Sequence, residues 1–464
     1  MTEKKKLLVL CVALFCFIAV SAQQRMSVSS PDGKLRFSLK VTPESVSYDI
    51  DYRKQSLIAN SLLGFSFDSG EFGRNLKAGK VQRKKIDETY KLIVGKTSSV
   101  RSRCNEMTVP MQERSDSGRL INLVVRAFDD GIAFRYEFPE QKAWDSYVMY
   151  DERTQFNLQG NPMALLMYLP GYVNTHEGVY SHVRYDIHLW VHWRPLYDKL
   201  EEAFALYEGW GVKGLMVDFM DRNDQEMIRI QEEILECAAR HRLFIQFHGS
   251  SKPSGLVRTY PNEFTREGTL NYEVCKWDTL VNADHDIAIP FTRMLAGATD
   301  YHLGGFRALP RSEFKIQYVN PHVMSTRCHM LAMYVVLENH LTSLCDTPKA
   351  YEGQPGFEVL RTVPGTWDEI RVPLAKMNEH VTVARRSGSD WWVGSLNNGA
   401  ERNLKLELDF LSEGDYQATI YTDAEDVDRN PNHLDRQVRK VTRKDIIELN
   451  LAKDGGALLH IRRL

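Results

Sequence analysis

From Arg25 to about Phe138, apolar and polar positions alternate with the two-residue period of a half-buried strand. Leu35, Phe37, Leu39 and Val41 form one such row, and Val46, Tyr48, Ile50 and Tyr52 form another. Turn residues separate the rows: Pro31-Asp32-Gly33 first, then Pro43-Glu44-Ser45. Asp129-Asp130-Gly131 joins Leu120–Phe128 to Ile132–Phe138 as a hairpin. Many short strands at this spacing predict an antiparallel β-sandwich.

After Ile187 the pattern changes to strand–helix alternation. Leu189–Trp193 reads as a strand, and Pro195 opens a helix with Leu196, Leu200, Ala203 and Tyr207 on one face. Leu215–Phe219 reads as a short buried strand that ends among Asp218, Asp221 and Asp224. The next helix has Asn223 as its expected N-cap, Glu226 completing a capping box, and Met227, Ile230, Ile234 and Ala238 as its apolar stripe. Leu243–Gly249 is a third strand, and further strand candidates surround Thr259–Asn262 and Ile287–Phe291. A helical run from Val323 to Leu341 follows. This is the repeating unit of a β/α barrel, whose catalytic groups sit at the C-terminal ends of strands. From His380 the β pattern returns, over Val381–Ala384, Trp391–Leu396, Leu404–Leu411, Tyr416–Tyr421, Ile446–Leu451 and Ala457–Ile461.

The expected order is therefore an N-terminal antiparallel β-sandwich (23–180), a central (β/α)8-type barrel (181–355) and a smaller C-terminal β-sandwich (356–464). The central section offers six strand candidates where a closed barrel needs eight. The shortfall lies just before Asp186, so the barrel reads as incomplete.

A chain of 464 residues has room for about three domains. Its formal net charge of −2 makes no case for nucleic acid or an anionic membrane as partner. Lys4, Lys5 and Lys6 precede the apolar run Leu7–Val20, and Val20-Ser21-Ala22 supplies a small-residue cleavage site. Residues 1–22 thus read as a secretory signal peptide, and no span is expected in the mature chain. That chain keeps Cys104, Cys237, Cys275, Cys328 and Cys345, an odd number without a CxxC pair, so no disulfide framework is implied.

Asp218 stands on a strand directly after Leu-Met-Val, where a half-buried carboxylate needs a reason. It is the candidate catalytic carboxylate; the plainer alternative is that the three aspartates solvate a loop and cap a helix. A second acidic stretch, Asn262 to Glu273, carries Glu263, Glu267 and Glu273. Carboxylates on facing strand ends suit glycoside hydrolysis, and they also supply hard oxygen ligands for calcium. A solvated acidic loop is the alternative there. His248, Lys252 and Arg258 surround the third strand end, placed to hydrogen-bond sugar hydroxyls or hold carboxylates ionised. Trp193 is a further candidate substrate contact. The sequence has no GxSxG, HExxH, P-loop or GxGxxG in a strand–helix context, which leaves serine-hydrolase, zincin and nucleotide-binding readings without support.

Several segments together resemble glycoside hydrolase family 97, calcium-dependent exo-acting α-glycosidases of Gram-negative bacteria. They are Arg126–Gly131, Asn174–Gly178, Val217–Gln225, Phe247–Gly249, Lys252-Pro253, Arg258–Asn262, Glu267-Gly268 and Pro290–Gly297. The resemblance implies the same three-part architecture, a periplasmic location and an α-linked oligosaccharide substrate. The family's inverting, α-glucosidase-like branch carries a base glutamate directly after the histidine of the third strand. This chain has Gly249 there and Asp218 where the retaining, α-galactosidase-like branch has its nucleophile. The resemblance thus implies Asp218 as nucleophile and Glu273 as acid/base, with Glu177, Glu267 and Glu273 as Ca²⁺ ligands. Family members have a long segment where this chain has only Val179 to Asp186. An inactive carbohydrate-binding remnant and an α-glucosidase are the alternatives.

Overall fold

A computed structural model describes residues 24–92, 96–114, 118–142, 144, 146–160 and 188–464. The signal-peptide reading over residues 1–22, Glu177 and the short Val179–Asp186 segment lie outside the described residues. Contacts divide the chain into two units, residues 1–90 with 101–165 and residues 91–100 with 166–464.

The first unit is antiparallel β. Strands β1 (Gln24–Ser29), β2 (Leu35–Val41), β3 (Val46–Tyr52) and β4 (Gln55–Leu63) form one sheet in chain order. A second sheet runs β11 (Ile132–Glu137), β10 (Leu120–Phe128), β9 (Ser99–Glu113), β7 (Leu76–Ala78), with β8 (Gln82–Lys91) also on β9. A third sheet joins β12 (Met149–Glu152), β5 (Phe65–Phe67) and β6 (Gly70–Phe72). Leu35, Phe37, Leu39 and Val41 are all buried, as are Val46, Tyr48 and Ile50, so the alternation read from sequence is the inward face of this sandwich. Phe128 N–H donates to Gly131 O across the predicted hairpin, whose strands pair Ala127 with Ile132.

The second unit begins with four parallel strands side by side: β13 (His188–His192), β14 (Gly214–Asp218), β15 (Phe244–Phe247) and β16 (Glu263–Arg266). Beyond them the described residues add isolated parallel bridges, Arg266 to Thr299 and, separately, Leu303 to Leu344. Helices α1 (Trp193–Tyr197) and α2 (Leu200–Gly209) lead from β13 to β14, and α3 (Gln225–Arg240) leads from β14 to β15. The stripe Met227, Ile230, Ile234 and Ala238 on α3 is buried as expected. The N-cap falls one residue later than the sequence suggested: Asp224, not Asn223, accepts the Met227 N–H at 3.0 Å. The expected strand at Ile287–Phe291 is instead the end of helix α4 (Ala283–Phe291). Asn282 caps it by accepting the Asp284 and His285 N–H groups, a local start signal that outweighs the β-like apolar run.

The chain ends in a six-stranded sheet of order β17 (Glu369–Lys376), β18 (His380–Ser387), β19 (Asp390–Asn397), β24 (Gly456–Arg463), β21 (Tyr416–Asp423), β22 (Leu434–Val441). The pair β20 (Arg402–Glu407) and β23 (Ile446–Leu451) covers one face, closing the expected small sandwich over Val393, Leu406, Ile420, Leu449 and Leu459. Helix α5 (Arg327–Val336) packs against β19 and β24. No helix among the described residues is long and apolar enough to cross a membrane. The five described cysteines are free.

Candidate active site

Three neighbouring strands deliver the predicted groups at their C-terminal ends. Asp218 is the last residue of β14, His248 and Gly249 follow β15, and Glu267 follows β16. Asp218 is buried, and its carboxylate is held by two donors. The indole Nε1–H of Trp190 reaches Oδ2 at 2.8 Å, and the amide of Phe219 donates to Oδ1. Phe219 itself has a φ of +64°, a left-handed conformation uncommon outside glycine, so the chain turns sharply directly after Asp218.

His248 is the centre of the cluster. Its Nδ1 lies 2.9 Å from the fully buried Asp300, and its Nε2 lies 3.3 Å from Glu267 and 3.5 Å from Glu273. Both ring nitrogens are thus taken by carboxylates. Burial alone would push His248 down, but Glu267, Asp300 and Glu273 outweigh it and leave the imidazole well above its ordinary range. His302 stacks on it at 5.2 Å between centroids.

Glu267 accepts the Gly249 N–H and the Asn271 side-chain amide, each at 2.8 Å. Asn271 also accepts the Glu273 N–H at 3.0 Å, so one side chain sets both glutamates. Arg293 fixes their loop by donating to the carbonyls of Arg266, Glu267, Gly268, Gly297 and Ala298. Burial, with repulsion from Glu273, Asp300 and Asp218, pushes Glu267 up to about 8, against the pull of His248. Burial would raise Glu273 as well, but the His248 hydrogen bond and the charges of His302 and Lys276 bring it down to about 2. Three carboxylates, Glu267, Glu273 and Asp300, surround one imidazolium, with Asp218 close enough to repel Glu267, so acidic groups outnumber the cation in this buried cluster. Hard oxygen donors in that balance fit a calcium ion.

The structure therefore brings Asp218, His248, Glu267 and Glu273 together around the His248-Gly249 pair. Lys252 and Arg258 are exposed on the stretch after β15. Trp193 is only 7% exposed and packs in the core under β13 and β14, while its edge lines an open cleft of about 610 Å³ with His192, Arg194, Phe219 and Asp221. Glu263, the third glutamate of the acidic stretch, turns inward to a buried ion pair with Arg266 at 2.6 Å. Sequence reasoning missed Trp190, Asn271, Asp300 and His302. Asn271 alone had a local signal, lying between the two glutamates it positions.

Three family models match the chain: glycosyl-hydrolase 97 N-terminal over residues 28–192, glycoside hydrolase 97 over 174–269, and glycosyl-hydrolase 97 C-terminal, oligomerisation, over 366–462. A retaining alpha-galactosidase of Bacteroides thetaiotaomicron is 33% identical over 319 residues, covering 68% of this chain and 48% of the relative. A probable retaining alpha-galactosidase of Streptomyces bingchenggensis is 32% identical over 275 residues, covering 58% and 40%. The chain spans about half the length of the curated relatives it matches. A family 97 enzyme from Pseudoalteromonas sp. strain K8, solved with acarbose, superposes with a TM-score of 0.81 at 21% identity, over 95% of this chain and 100% of that one. A beta-arabinopyranosidase structure superposes at 0.77 with 19% identity, over 94% and 100%. At these identities the two structures speak for the fold alone.

Proposed function

The chain belongs to glycoside hydrolase family 97, and from that premise we propose that it is a calcium-dependent retaining exo-α-glycosidase of the α-galactosidase type. Its substrate would be an α-linked oligosaccharide, met in the periplasm after removal of residues 1–22. The observation that carries this reading is the space at Gly249. A Cβ there would lie 2.8 Å from Asp218 Oδ1 and 2.9 Å from Phe219 N. A glutamate there, as the inverting branch carries, would crowd Asp218 and the Phe219 backbone as they stand, which supports Asp218 on β14 as the nucleophile.

In this reading Asp218 attacks the anomeric carbon while Glu273, ionised beside His248 as it stands, takes up the proton that His248 Nε2 holds 3.5 Å away and passes it to the departing glycosidic oxygen. Glu273 then takes a proton from the water that opens the glycosyl–Asp218 ester, and the configuration is retained. Trp190 and the Phe219 amide hold the nucleophile in its orientation. Glu267 and Glu273, with Glu177, would hold the calcium ion, whose charge offsets the crowded carboxylates and helps to orient the sugar.

The test is hydrolysis of an aryl α-galactoside in calcium, with the first-formed anomer read by NMR. Turnover with retention, lost by about 10³-fold or more in Asp218→Asn, is expected. Faster turnover of the α-glucoside would move the chain to the glucosidase reading. Sugar binding without turnover of any α-glycoside would reject the enzymatic reading in favour of a binding remnant.

A further inference from the structure

Away from Asp218, helices α2 and α3 bring together another set of ligand-type side chains. Glu201 and Glu208 lie two turns apart on one face of α2, while Cys237 and His241 lie one turn apart at the end of α3. Cys237 Sγ stands 3.4 Å from Glu201 Oε2, and His241 Nε2 stands 3.0 Å from Glu201 Oε1. One donor atom from each of the three falls within 4.8 Å of the other two. Bonds of about 2.0–2.3 Å to a tetrahedral ion would set such atoms roughly 3.3–3.8 Å apart. The remaining ring nitrogen of His241 lies 3.1 Å from Glu208 Oε2. A carboxylate in that place is what fixes the tautomer and direction of a metal-bound imidazole. Cys237 is 3% exposed and the His241 side chain 12%, so two of the three donors are already held in position.

We propose that Glu201, Cys237 and His241 form a binding site for a thiophilic divalent cation of the Zn²⁺ class, with Glu208 orienting His241. The site shares no residue with the Asp218 cluster and suits a different ion. Thiolate and imidazole select zinc, where an all-carboxylate set selects calcium. Burial and the Glu201 carboxylate push the Cys237 thiol up to about 11, so as it stands the thiol keeps its proton and donates it to Glu201. Binding releases that proton to solvent as the thiolate becomes a ligand. Arg240, whose Nη2 donates to Glu201 Oε2 at 2.9 Å, gives up that oxygen to the ion. The ion then clips the start of α2 to the end of α3, the helices that flank β14 in the chain and so brace the strand bearing Asp218.

Cobalt(II) titration of the full chain in excess calcium tests this. A single tight site is expected, with thiolate-to-cobalt absorption in the near ultraviolet and the intense visible bands of tetrahedral cobalt, both displaced by Zn²⁺. Cys237→Ser should remove the near-ultraviolet band and Cys345→Ser should keep it. Glu201 is exposed, so Glu201→Ala leaves the fold intact and should weaken cobalt binding by about tenfold or more; Glu208→Gln should cost about tenfold. No charge-transfer band, a band that survives Cys237→Ser, or an unchanged affinity in Glu201→Ala overturns the proposal.

Discussion

At the scale of single residues, the site is decided by what one position leaves out. Gly249 has φ +50°, and any side chain there meets the Asp218 carboxylate and the Phe219 backbone. Gly249→Ala should therefore displace Asp218 and strain the turn. We expect loss of at least about tenfold in kcat and about 1–3 kcal/mol of stability, read by steady-state kinetics and by urea unfolding. A variant with full kcat would mean the carboxylate has room to spare. The buried place of Asp218 at a strand end was legible from sequence because a carboxylate closing an apolar run is costly to bury without partners. Its partner Trp190 comes from the preceding strand, and Asp300 is 52 residues from the histidine it orients. Such partners are chosen by sheet order, which no local pattern displays.

At the scale of elements, local signals predicted helices and strands well where they agreed with burial. The alternating rows of β2 and β3 are visible because one face is apolar; β22 was missed because, of Leu434–Val441, only Val441 is buried. It is a charged edge strand, the kind that resists edge-to-edge pairing and hides from hydrophobic periodicity. The cap of α3 was misplaced by one residue because Asn223 and Asp224 are both good caps, and only the geometry chooses. Asp224→Ala should cost about 1 kcal/mol in urea unfolding and Asn223→Ala close to nothing. Helix α5 supplies a pH-dependent contribution. Fully buried His329 places Nε2 3.1 Å from Asp286 and Nδ1 3.0 Å from Gly455 O, and Asp286 also accepts the hydroxyls of Tyr272 and Tyr301. Burial would lower His329, but Asp286, with Gly455 O and the more distant Asp454, raises it. The folded chain then keeps a proton that the unfolded chain loses near 6.5, so this stabilisation is complete below that pH and fades as pH rises through the folded value. The unfolding midpoint should fall from pH 6 to pH 8.5, and His329→Gln should flatten that fall; an equal slope in the variant would assign it elsewhere.

At the scale of the molecule, the sequence announced sandwich, strand–helix alternation and sandwich in the right order because each has its own hydrophobic period. The interior charge around His248 is a property of the assembled unit, since its carboxylates come from β14, from the loop after β16 and from residue 300. If calcium balances it, chelation should lower the melting temperature and abolish turnover, with both restored by Ca²⁺ and not by Mg²⁺, which demands a smaller octahedral shell. An ion at about 100 times its Kd is worth about 2.7 kcal/mol, a shift calorimetry resolves. The seat of α5 has a different consequence. Ala332 of α5 approaches β19 so closely that a Cβ at Gly394 would sit 2.5 Å from its carbonyl oxygen. Val381, Val383 and Leu396 of the last sheet fill the same interior as Tyr272, Ile287 and Met330. That sheet is therefore no detachable cassette: transplanted onto another scaffold, it would carry off one wall of its neighbour's interior, and both pieces would be left with a raw apolar wound.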